Sequence, residues 1–144
     1  MRSAAPLALV VALAGCGGDD GGKRLTAAEY RSQADAICAK ANEDLRELEP
    51  PDSLGAMRSF VDEAKPIAEG AVDDLDDLEP PQQLEPAHER WIQQNRHMVE
   101  LLDDLKNQGL PGVASKAREF DRAAKTANDT ARDDLGLDDC GREN

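Results

Sequence analysis

Aromatic side chains are scarce in this chain: Tyr30, Phe60, Trp91 and Phe120 are all there are. Base or sugar recognition by stacking needs aromatic platforms, so that mode is not expected. Basic residues are also in deficit, with 17 Lys+Arg against 30 Asp+Glu and a net charge of −13. Nucleic acid is bound largely through counterions released at Lys and Arg, so no nucleic-acid partner is expected. The same balance disfavours adhesion to anionic lipid head groups. A phosphate-binding loop is missing, because the glycines between Gly15 and Gly22 lack a following Lys-Ser/Thr. Ser32, Ser53, Ser59 and Ser115 sit in no nucleophile motif. Acid pairs abound, but on helix exteriors they lack the burial that shifts a pKa. No enzyme is expected.

Long apolar runs are missing too. The longest, Ala4 to Ala14, has 11 residues and contains Pro6, whereas a membrane-spanning helix needs about 20. With Arg2 before it and small residues after it, the run reads as a secretory signal over residues 1–15. Leu13-Ala14-Gly15-Cys16 resembles the lipobox of bacterial lipoproteins. The resemblance implies cleavage before Cys16 and lipid, palmitate included, on Cys16, with no other cofactor. Two or three acyl chains hold a protein at a membrane where one holds it only marginally. The expected address is therefore the outer face of the cytoplasmic membrane. Residues 16–25, glycine-rich through Gly22, suit a flexible tether.

Removing residues 1–15 leaves 129 residues, with 16 basic side chains against 30 acidic ones, formally −14. That length suits one domain, residues 26–144. Thr26-Ala-Ala-Glu29 is a capping-box pattern, so a helix should begin near Ala27. Tyr30, Ala34, Ile37, Ala41, Leu45 and Leu48 then fall on one helical face. Pro50-Pro51 should end it. A second helix follows Ser53, its apolar face running from Met57 to Leu78 with Pro66 pointing outward. A third is expected from Gln82 to Lys106, with Leu84, Ala87, Trp91, Met98, Leu102 and Leu105 inward, and Ile92 and Val99 nearer its edge. A fourth, from Gly112 to Asp134, has a seam of mostly alanine.

Leu45-Arg-Glu-Leu48-Glu49-Pro50-Pro51 returns as Leu75-Asp-Asp-Leu78-Glu79-Pro80-Pro81. Two clear copies are too few for a solenoid, so they read as similar helix ends. The expected fold is all-α, an antiparallel four-helix bundle. Once Cys16 carries lipid, Cys38 and Cys140 remain, and an exported chain meets an oxidising compartment. They are expected to form one disulfide, the tail after Leu135 running back over the first helix. Tyr30, Ala34-Asp35-Ala36-Ile37-Cys38, Asn42, the Glu-Pro-Pro joints and the closing Leu135-Gly136-Leu137-Asp-Asp-Cys140 resemble small exported helical lipoproteins of high-GC Gram-positive bacteria. That resemblance implies fold and location but no activity.

Glu85-x-x-His88 has the spacing of a helical metal ligand pair, but only one such motif is present. His97-x-x-Glu100 resembles the motif of imelysin-type metal-associated proteins, yet both residues project toward the polar face. His88 and Asn95 interrupt an apolar face and read first as register and packing residues. With Trp91 they are, as the alternative, candidates to line a pocket between helices. The acidic run Asp62, Glu63, Asp73, Asp74, Asp76 and Asp77 is a solvated face or a cation surface. The expected function is a non-enzymatic binding or interaction module of the cell envelope with a protein partner there. Binding of a metal or small solute is the alternative.

Overall fold

The computed structural model describes residues 24–142, with Leu110 through its backbone alone. The expected signal peptide, the expected lipidation site Cys16 and most of the expected tether lie outside the described residues. α1 (Ala27–Arg46) starts where the capping box places it. The Thr26 hydroxyl accepts from the Glu29 amide at 3.3 Å, while the Glu29 carboxylate accepts from the Thr26 amide at 2.9 Å. Ser53 caps α2 (Leu54–Asp76) by accepting from the Ala56 amide at 3.1 Å. Pro66 lies within α2 on its exposed side.

α3 (Glu85–Asn107) begins three residues later than Gln82. The Leu84 amide donates to the Pro81 carbonyl at 2.8 Å in a turn, and Pro86 has no amide hydrogen to extend the helix backward. α4 (Leu110–Asp129) begins earlier than expected, with Pro111 in its first turn. Its continuation, Thr130–Leu135, widens into a π-helical turn. Gly136 stops it at φ 70°, a left-handed conformation that favours glycine.

Among the described residues these four helices pack in sequence: α1 on α2, α2 on α3, α3 on α4. α1 and α4 do not form a packed pair. The tail beyond Gly136 takes that place. Arg31 donates to the Leu135 carbonyl at 2.9 Å. The Asp35 carboxylate accepts from the Asp138, Asp139 and Cys140 amides at 3.2, 2.8 and 3.4 Å. The Cys38–Cys140 disulfide closes the connection, with Cα atoms 5.2 Å apart. Leu137, fully buried, plugs the core beside Tyr30, Trp91, Ala131 and Leu135.

Ile92 belongs to this core, at 1% exposure, rather than to an edge. α3 packs against both α2 and α4, so its buried arc is wider than a single seam. Leu25 also packs on the core and donates its amide to the Glu79 carbonyl at 2.9 Å, so the body holds the last two residues assigned to the tether, Arg24 and Leu25. The disulfide points to an extracytoplasmic compartment, and no described helix is long and apolar enough to cross a membrane.

Candidate functional site

The missing α1–α4 pair leaves a half-open groove running into the bundle, with a volume of about 510 Å³. Cys38, Ala41, Asn42 and Leu45 form one wall from α1. Phe120 and Ala124 of α4 face them, and Trp91, Asn95 and Met98 of α3 make part of the floor with Ala71 and Leu75 of α2. Cys140 and Arg142 border it from the tail. The alanines explain the space: at Ala41, Ala71 and Ala124 a helix contributes one methyl where leucine would fill the gap. Clefts of this size, mostly apolar with a few polar groups, are the usual form of small-molecule sites.

The polar groups are specific. Asn42 donates its Nδ2 hydrogen to the Asp139 carbonyl at 3.4 Å, Asn95 to Trp91 at 2.8 Å, and Asn128 to Arg142 at 3.2 Å. The charges at the rim pair with one another: Lys125 with Asp129 at 2.8 Å, and Arg142 with Asp139 at 3.0 Å.

Of the three candidate pocket residues, Trp91 and Asn95 line the groove and His88 does not. His88 is buried, and its Nδ1 shares a hydrogen bond with the Tyr30 hydroxyl at 2.9 Å. The two rings meet edge to face, centroids 5.6 Å apart. The place of His88 on the apolar face is a satisfied core position.

Glu85 does not join His88 in a ligand set. Arg24 holds its carboxylate at 2.9 and 3.2 Å. Among the described residues no three His, Cys, Asp or Glu side chains are grouped to hold a metal ion. Acidic residues of α2 are instead engaged across the bundle, Asp76 with Arg96 at 2.6 Å and Asp62 with Lys106. His97 lies 3.6 Å from Glu100, both side chains well exposed.

Burial lowers the His88 pKa from 6.5, against weaker opposing fields from Asp76, Glu89 and Glu85, and it raises that of Tyr30. Between the folded and unfolded His88 pKa values, the unfolded chain binds more protons. The His88 contribution is therefore complete above about pH 6.5 and is lost as pH falls below it. Thermal unfolding between pH 7 and 5 should show a falling midpoint, and His88→Gln should flatten that slope.

Asn42 and Asn128 were not anticipated in the site. Each follows a seam alanine, Ala41 and Ala127, and sits at the margin of its apolar arc. That position reads as ordinary surface until the α1–α4 gap is known. Comparison with protein-family models, curated proteins and solved structures finds no match. The functional argument therefore rests on the groove's own chemistry.

Proposed function

We propose that this chain is an exported lipoprotein, anchored through Cys16 at the outer face of the cytoplasmic membrane, that binds an apolar or amphipathic ligand in the α1–α4 groove without catalysing a reaction. The observation that carries the reading is the groove itself: about 510 Å³ of space with a mostly apolar lining. A bundle selected only for packing would fill it, since each buried methylene contributes roughly 0.8 kcal/mol. The disulfide supports export, and Leu13-Ala14-Gly15-Cys16 supports the anchor. This reading joins the binding module to its alternative, a small-solute protein, and leaves the Glu85–His88 metal pair aside.

The test is binding of N-phenyl-1-naphthylamine, whose fluorescence rises in apolar surroundings, to the soluble body beginning at Lys23. Saturable binding is expected, weakened about tenfold or more by Ala71→Phe, which places a ring in the groove. The unfolding midpoint of that variant should stay near wild type. Absence of saturable binding would overturn the reading.

A further inference from the structure

The polar equipment of the groove narrows the class of ligand, on the reading that the groove is a binding site. Asn42, Asn95 and Asn128 each spend Nδ2 on a backbone carbonyl. Their three Oδ1 atoms have no hydrogen-bond partner among the described residues, and none is sealed from solvent. These atoms accept hydrogen bonds and cannot donate them. The cations at the rim, Lys125 and Arg142, are paired with Asp129 and Asp139, and Asp121 adds a further carboxylate. A carboxylate or phosphate head would meet acceptor oxygens and carboxylates. A head carrying hydroxyl or amide hydrogens would complete what the asparagines lack.

The width selects the other half of the ligand. From Trp91 to Leu102 the α3 wall of the groove rises about 16 Å at the helical rise of about 1.5 Å per residue. Spread over that length, about 510 Å³ of room for the centre of a water-sized sphere leaves a section on the order of 30 Å², about 9 Å from wall to wall once the sphere's own radius is added. A helix with side chains is about 10–12 Å in diameter and does not enter. A single hydrocarbon chain does.

We infer that the groove takes a neutral, single-chain amphiphile whose head donates hydrogen bonds to Asn42, Asn95 and Asn128. A membrane-tethered protein meets such molecules at the bilayer surface. The apolar lining receives the chain, while the asparagine oxygens, Asn95 on the floor and Asn42 and Asn128 beside the tail, hold the head. Asn95 is the most diagnostic of the three, because its one hydrogen bond is to its own helix backbone.

The test displaces bound N-phenyl-1-naphthylamine with three ten-carbon amphiphiles, each below its micellar concentration: monodecanoylglycerol, decanoate and decyltrimethylammonium. Monodecanoylglycerol should displace the probe at about tenfold lower concentration than either ion. Asn95→Leu and Asn42→Leu should each raise its concentration about fivefold relative to that variant's own naphthylamine affinity, roughly one hydrogen bond's worth. Equal displacement by decanoate, or insensitivity to both substitutions, would overturn this inference and leave the groove a binding site. Displacement by none of the three would overturn it as well. Failure of naphthylamine to bind wild type would instead remove the underlying reading.

Discussion

Replacing Cys38 and Cys140 together by alanine should destabilise the protein by about 2–5 kcal/mol, a drop in unfolding midpoint on the order of 10 °C. The bond closes a loop of 102 residues, and in the chain-entropy model a loop of that length contributes about 4–5 kcal/mol. Its effect also has a local side. The tail stands where a bundle would pack α1 against α4, and it carries Leu137 into the core. Without the crosslink, Arg31 and Asp35 hold the tail through partly exposed hydrogen bonds worth about 1 kcal/mol each. Thermal unfolding with and without reductant checks this on the wild-type chain. A midpoint indifferent to reductant would mean that those polar contacts suffice.

Tyr30→Ala should cost about 3–5 kcal/mol, comparable to the disulfide. Tyr30 is fully buried and among the largest side chains in the core. Its removal leaves a cavity and also strips His88 of its hydrogen bond. Tyr30→Phe separates the two effects: the ring stays, the His88 Nδ1 loses its partner, and the cost falls to about 1–3 kcal/mol. Urea unfolding of both variants gives the difference directly. Equal costs would mean that the hydroxyl, not the ring, accounts for the stability of this site.

Local signals located most of the fold. The Thr26–Glu29 box, the Ser53 cap and the two Pro-Pro joints each act within a few residues, so they are readable without knowing the partner helices. The disulfide was legible because a lipid on Cys16, as the lipobox resemblance implies, would leave Cys38 and Cys140 only each other. Three features were not legible in this way. Ile92 looks like an edge residue on a wheel drawn for one seam, and only its contact with two neighbours buries it. His88 reads as a packed core residue or, less favoured, a pocket residue, and only Tyr30, 58 positions earlier, supplies the partner that decides between them. The groove depends on α1 and α4 not packing closely on each other, and no local pattern encodes packing that does not form. The alanine seam hinted at it by showing where volume was lacking.

The most direct test of the binding account uses the one tryptophan in the chain. Trp91 is 2% exposed to water yet faces the groove. A single-chain neutral amphiphile brominated along its hydrocarbon chain should quench Trp91 fluorescence saturably, and Ala71→Phe should abolish the quenching. Emission unchanged by the brominated chain in the wild-type protein would contradict the account.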